Sequence, residues 1–535
     1  MQKLKLILIP ICVGAVLLFI SWYLSYPVSI DSPYDFAYNH ISYLYWVGLA
    51  ILFFSFFVVA TKTENNSLRW AMAIGTVLLM FSQTYFYYMV PGSDSHQFRG
   101  LTEYYISTGD LSLQPHHSYY EWPLFFLLNK IVISITGLDL RYCEFILYGT
   151  TCSIITSFIY LHVSKVQKNA YIAVIAFFII LTNFFNFQFW AAFTLSLCYI
   201  LLLLYLDSMT TKREVLPAML IIFAGMTYTQ ILTPLFFVIY SLVMYILKKN
   251  RKYLNLFILT SIIYAFVLSK NLLFAYYMKR LTDLFFQEIL HRITVTTASS
   301  IAPQPYVDVI AQLFSRSVTV TTVLVTGLGF VVLVRRKKLR GTDYAMLLTG
   351  AIFAATILVT PSSYHNLSNR SYFLLCIPAS MGAAYLCESK LRKYFVPAFM
   401  VFLLLFTFVI MHKTFYDQEI QFQTKAEYQC ANFMIGTTNW NTPASVLSPF
   451  RFMKYLTTKS STDPNVVVFE DDSSARALGR FPENMTYYTY VAYTIGLAKS
   501  SLAANYSVEE SFMAFEVNHF NLIYNSGNFS YIFSK

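Results

Sequence analysis

The sequence predicts a polytopic α-helical membrane protein of about thirteen spans, one per long apolar run, with a small extracytoplasmic α/β domain at its C-terminus. Two observations carry this expectation. Of 535 residues, 57% are hydrophobic and 12% charged, against roughly one-quarter charged in soluble domains, and mean hydropathy is +0.53. Apolar runs of roughly 18–22 residues recur between charged or Gly/Pro/Asn-rich breaks, and at about 1.5 Å per residue each can cross a hydrocarbon core of about 30 Å.

The first run, Leu4 to Tyr23, follows Lys3 and Lys5 and lacks a small-residue cleavage site. It reads as a retained signal anchor with a cytoplasmic N-terminus. A second span covers 41–61 and a third 70–90, followed by spans at 142–163, 169–187, 189–207, 215–230, 232–247, 254–276, 317–334, 343–361, 371–387 and 395–413. Basic clusters set the register: Lys62/Arg69, Lys165/Lys168, Lys212/Arg213, Lys248 to Lys252, Arg335 to Arg340 and Lys390 to Lys393. All are assigned to the cytoplasm by the positive-inside rule. The run 124–135 is short for a span, and a crossing there would put Lys165 and Lys168 outside. It is therefore expected as an amphipathic helix at the outer interface.

The net charge of +11 thus reflects topology, and no nucleic-acid partner is expected. Cys12, Cys152, Cys198, Cys376 and Cys387 are scattered in or beside spans, with neither disulfide nor metal spacing. The expected domains are 1–414 in the membrane, with a first outer loop at 91–141, and 415–535 outside. The C-terminal part carries Asp463, Glu470 to Asp472, Glu509 and Glu510, and short apolar runs such as Val466 to Phe469. Sequons at Asn484, Asn505 and Asn528, with Asn366 and Asn369 in an outer loop, are compatible with that side.

Span centres carry almost no ionisable residues. Glu144, Asp207, Lys270 and His412 fall near span ends and are expected as ordinary interfacial side chains that snorkel to water. Charge concentrates instead in the first outer loop, where Asp94, His96, Arg99, Glu103, Asp110, His116, His117 and Glu121 lie between Pro91 and Pro123. A second outer loop carries Lys279, Arg280, Asp283, Glu288, His291, Arg292, Asp308 and Arg316, and a third Tyr364, His365, Asn366 and Arg370. Cations and polar groups gathered at one membrane face suit a lipid-linked sugar phosphate, because Arg and Lys bind phosphate oxygens by charge-assisted hydrogen bonds.

Sugar transfer from such a carrier needs a carboxylate at the acceptor, cationic help for the departing phosphate and an apolar groove for the chain. Asp94, just beyond the third span, fits the first role. His96, Arg99, Glu103, His116, His117 and Glu121 are candidate substrate-binding neighbours, with Arg280, Tyr364, His365 and Arg370 from the other loops. Asp94 and Gln97, ahead of Phe98, Leu101, Tyr104 and Tyr105, equally form a helix N-terminus with Gly109 as its stop. The two histidines serve equally as solvated side chains. Tyr119, Tyr120 and Trp122 are placed to stack on a sugar or line a lipid groove. A divalent metal has weak support, since the outer loops contain neither D-x-D nor H-x-x-x-H.

Several stretches together resemble the GT-C fold glycosyltransferases: the acid after an early span, E-W-P-L-F-F-L-L from Glu121, G-L-D-L-R from Gly137, T-Q-I-L-T-P-L-F-F around Gln230, N-R-S-Y-F-L-L-C-I-P from Asn369 and the tail N-L-I-Y-N-S-G-N-F-S-Y-I-F. The superfamily includes protein O-mannosyltransferases, lipid A aminoarabinose transferases and oligosaccharyltransferases, and the resemblance spans residues 70–390 in pattern. It implies a polyprenyl- or dolichyl-phosphate sugar donor, a protein, lipid or glycan acceptor, and action on the outer face of the plasma membrane. It implies Asp94 as the essential acid, 123–135 as a juxtamembrane helix and Arg370 as the grip on the lipid phosphate. The W-W-D-x-G signature of oligosaccharyltransferases is missing, and Asn183 to Phe189 carries no second acid. These departures imply metal-independent transfer of a monosaccharide. The alternatives are a lipid-linked glycan flippase, which requires cations at membrane depth, and a non-catalytic membrane scaffold.

Overall fold

The computed structural model describes residues 2–28, 40–91, 95–108, 122–184, 189–209, 215–269, 327–335, 339–355, 365–388 and 403–407, five strand segments and a few isolated positions. The chain is a multi-pass α-helical membrane protein. Among the described residues, four helices are long and apolar enough to cross a bilayer: α1 (Gln2–Ser25), α2 (Tyr43–Lys62), α6 (Leu140–Ser164) and α11 (Arg251–Ser269). Between them lie α3 (Asn66–Met80), α4 (Ser95–Thr108), α5 (Leu124–Thr136), α7 (Ala170–Phe184), α8 (Ala192–Met209), α9 (Leu216–Thr227) and α10 (Leu232–Lys248). The helices α12 (Gly341–Ala355) and α13 (His365–Glu388) follow.

Local signals explain the boundaries. Asn65 Oδ1 accepts the N–H groups of Ser67 and Leu68 at 2.9 and 3.2 Å, and Asp139 Oδ1 accepts Arg141 N–H at 2.8 Å, so both helices start on a side-chain cap. Helix α5 stops at Gly137, whose φ of 67° is left-handed. Helices α10 and α11 are joined by a tight turn with Lys249 at φ 50°. The expected third span is not continuous. Helix ends at Met80 and a 3-10 turn covers Ser82–Phe86, where the Ser82 hydroxyl donates to Leu79 O at 2.7 Å and competes with the helical ladder.

Helices α1 and α2 pack through glycines. A Cβ on Gly48 would stand 2.9 Å from Gly14 O and 3.1 Å from Leu17 Cβ. Small residues at such a crossing let two backbones approach within the membrane.

One end of the bundle gathers basic residues and ties helices together. Arg69 Nη1 donates to Lys168 O at 3.4 Å, Lys165 Nζ to Ser208 Oγ at 2.8 Å, and Lys252 Nζ to Asp207 Oδ1 at 2.8 Å, while Tyr240 donates to Asp207 Oδ2 at 3.0 Å. His162 Nε2 stands 2.9 Å from Asp343 Oδ1 and 2.7 Å from Arg340 Nη2. Burial, reinforced by the Arg340 guanidinium, pushes the Lys165 ammonium below its usual range. Asp207 is buried within this cluster rather than snorkelling, which corrects the sequence expectation for it. Lys270 and His412 lie outside the described residues.

Five short strands form one mixed sheet in the order β2-β1-β3-β5-β4. They are β1 (Ala444–Leu447), β2 (Val466–Phe469), β3 (Tyr490–Tyr493), β4 (Asn521–Asn525) and β5 (Tyr531–Ser534). β1 pairs in parallel with β2 and β3, while β5 pairs antiparallel with β3 and β4. The apolar run Val466 to Phe469 is β2, and the tail from Asn521 folds into β4 and β5.

Replacing Gly48 with Leu should push α1 away from α2, at a cost of about 1–3 kcal/mol by overpacking. A lower Tm in detergent checks it, and Gly48→Ala should fall between Leu and wild type.

Candidate active site

Two short helices, α4 and α5, form a platform at the end of the bundle opposite the basic cluster. Helix α4 begins at Ser95, immediately after Asp94, and its apolar spacing buries Phe98, Leu101 and Tyr105 on one face. That face meets α5. The Phe98 ring lies 5.3 Å from Phe125 and 5.8 Å from Phe126, and Tyr105 stacks on Phe126 at 5.9 Å. Each such aromatic pair contributes about 0.5–1.5 kcal/mol beyond its buried area. Lys130 Nζ adds a 2.8 Å hydrogen bond to Tyr105 O.

Three polar contacts fix the platform to the bundle. Arg99 is bidentate on Glu144 of α6, with Nε donating to Oε1 at 2.6 Å and Nη2 to Oε2 at 2.5 Å. Both side chains are out of solvent, Arg99 at 1% and Glu144 at 0% exposure. Trp190 Nε1 donates to Asn129 Oδ1 of α5 at 3.0 Å, and Asn129 Nδ2 donates to Phe125 O at 2.7 Å. Leu124 N–H donates to Tyr228 O at 3.3 Å, which seats the start of α5 on the turn between α9 and α10. Gln230 holds that turn, its Oε1 accepting the N–H groups of Leu232 and Thr233 at 2.9 and 2.8 Å.

The expectation that Glu144 snorkels is corrected. The carboxylate sits in the first turns of α6, too deep to reach water, and is matched instead by Arg99 from the loop helix. Such a pair is bidentate and charge-assisted, which offsets the desolvation of both ions. Arg99 therefore already has a buried carboxylate partner. Glu103, one turn further along α4, is partly buried, and its charge acts on Glu144.

Of the other sequence candidates, Asp94, His116, His117, Glu121, Arg280 and Tyr364 lie outside the described residues. His96, His365 and Arg370 stand on described helical backbone, the first on α4 and the others on the first turns of α13, with their side chains outside it. Trp122, just before α5, is buried at 7% exposure, and its indole Nε1 has no partner among the described residues. No group of three or more His, Cys, Asp or Glu gathers as a metal site among the described residues. Asn129, Trp190 and Lys130 complete the platform but carry no motif. Glu144 had one signal, a lone acid opening a span that follows a polar stretch, Pro91 to Pro123, with a single arginine.

The chain is similar to the crystal structure of ArnT from Cupriavidus metallidurans in the apo state, with 9% identity and a TM-score of 0.49 over 87% of this chain and 97% of that one. It is also similar to an Archaeoglobus fulgidus oligosaccharyltransferase in complex with Zn and sulfate, with 11% identity and a TM-score of 0.44 over 86% of this chain and 72% of that one. No family model and no curated protein matches the sequence. Likenesses of this degree fix neither a reaction nor a substrate.

Removing one partner of the buried pair, by Arg99→Met or Glu144→Leu, should destabilise the protein by about 3–5 kcal/mol. The double variant Arg99→Met/Glu144→Leu should recover most of that loss. A double-mutant cycle on Tm in detergent checks it, and additive losses would contradict the pairing.

Proposed function

We propose that the protein is an integral-membrane glycosyltransferase that moves a single sugar from a polyprenyl- or dolichyl-phosphate carrier to a protein, lipid or glycan acceptor. The observation that carries this reading is the anchored platform. A helix begins immediately after Asp94, is held to the bundle through a buried ion pair, and lies at the end away from the basic cluster. The positive-inside rule supports a cytoplasmic side for that cluster, and in this reading the platform faces outward from the plasma membrane. Carrier-linked sugars are available there.

In the proposed reaction Asp94 accepts or orients the proton of the acceptor hydroxyl or amine. The acceptor atom attacks the anomeric carbon from the face opposite the phosphate, the carbon–oxygen bond to phosphate breaks, and the phosphate departs with the electron pair. Arg370, at the start of α13, supplies the positive charge that the leaving phosphate needs. His96, His116, His117 and Glu121 are the candidate pocket residues around Asp94, with Arg280, Tyr364 and His365 as further substrate-binding candidates. The unpartnered Trp122 Nε1 offers a hydrogen bond to a sugar hydroxyl, an economical use for a buried donor. The second candidate class, a flippase, is less well supported. The cations Arg99 and Lys252 are each matched by a buried carboxylate instead of lining an open path.

Asp94→Asn should lower transfer by about 10²–10⁴-fold, the contribution of a positioned general base, while leaving Tm unchanged. The assay is release of free polyprenyl phosphate from a labelled donor by purified protein. Full activity in this variant would remove the assignment.

A further inference from the structure

A groove of about 680 Å³ runs along the outside of the bundle between α3 and α6. It extends from Tyr85 and Phe145 at one end to Trp70 and Phe158 at the other, roughly 20 Å at about 1.5 Å per residue. Gly149 makes room at its floor, where a Cβ would meet the Tyr85 hydroxyl at 2.7 Å. The polar groups on its walls are already satisfied. Thr150 Oγ1 donates to Ile146 O at 2.7 Å, Ser153 Oγ to Gly149 O at 2.8 Å and Ser157 Oγ to Ser153 O at 2.7 Å, while Trp70 Nε1 donates to Ser157 Oγ at 3.0 Å. Water would find few partners there, and an unfilled apolar groove forfeits dispersion contacts.

A cation stands at the mouth. Arg141 lies one helical turn before Phe145, on the same face of α6. Its guanidinium is 4.6 Å from the rings of Tyr88 and Tyr142, and Nη2 donates to the Tyr142 hydroxyl at 2.7 Å. Tyr26 is close enough to interact with its charge. Among the described residues no carboxylate pairs with Arg141, in contrast to Arg99 and Lys252. A planar cation with free N–H groups, ringed by tyrosines, suits a phosphate diester at the membrane interface.

We propose that this groove is a binding site for an anionic phospholipid of the surrounding bilayer, with one acyl chain along α3 and α6 and its phosphate on Arg141. The groove's length and its dry walls fit one extended chain, and the charge at its mouth complements the headgroup. The site is independent of the reaction proposed at the platform.

The test is photolabelling of the full-length protein in nanodiscs by phosphatidylglycerol bearing a diazirine near the end of one chain, with labelled peptides mapped by mass spectrometry. Labelling should concentrate on the end of the groove remote from Arg141, on 70–78 and 150–158, above that on the exposed α11 face at Ile258 and Ile262. Thr150→Trp plugs the groove from an exposed position and should cut groove labelling about tenfold, a change of about 1.4 kcal/mol, without changing labelling of α11. Arg141→Gln should abolish the preference for phosphatidylglycerol over a phosphatidylcholine probe. Uniform labelling of all membrane faces, or groove labelling unchanged by Thr150→Trp, would overturn the site. A preference that survives Arg141→Gln would overturn the headgroup assignment. Displacement of the probe by polyprenyl phosphate but not by excess phosphatidylglycerol would overturn the choice of lipid.

Discussion

The Arg99–Glu144 pair is the interaction on which the platform depends. Either ion alone would be costly to bury in a bundle this apolar, and the two are unrelated in sequence position. Together they turn a polar loop segment into a fixed part of the membrane domain. A structural consequence follows for everything on α4, because the helix start beside Asp94 is held relative to α6 by two short, parallel hydrogen bonds. The aromatic contacts of Phe98 and Tyr105 then need only orient α4 against α5, and the Trp190–Asn129 bond fixes α5 in turn.

The two ends of the bundle solve the problem of buried charge in similar ways with different outcomes. At the basic end, Asp207 of α8 collects Tyr240 of α10 and Lys252 of α11, and Asp343 of α12 meets His162 of α6 together with the neighbouring Arg340, so the buried acids tie separate helices together. At the other end a single ion pair holds a loop helix, α4, against one span, α6. The first arrangement suits a scaffold. The second fixes one helix, α4, through one charged side chain.

Much of this was legible in the chain. Long apolar runs bounded by basic residues give α1, α2, α6 and α11 directly, and Phe98, Leu101 and Tyr105 mark the buried face of α4 by their helical spacing. The short run 124–135 emerges as α5, and Val466 to Phe469 as a strand. The contacts that position the site were not legible, because they join residues far apart in sequence. Nothing near Glu144 indicates that Arg99 will reach it, and nothing near Asn129 points to Trp190. The break after Met80 left a partial signal, because the polar run Ser82, Gln83 and Thr84 interrupts the apolar stretch there and the Ser82 hydroxyl competes with the helical ladder. Most of the candidate residues themselves, Asp94 and Arg370 foremost, rest on sequence position and on the resemblance.

The central claim is that the protein turns over a carrier-linked sugar at the platform end. The most direct measurement is incubation of the purified, full-length protein with a panel of polyprenyl- and dolichyl-phosphate monosaccharides, with and without chelator, following release of the free carrier phosphate. Turnover of at least one donor, surviving chelation, is the expected result. Failure to release carrier phosphate from any donor, with the protein folded and acceptors supplied, would contradict it.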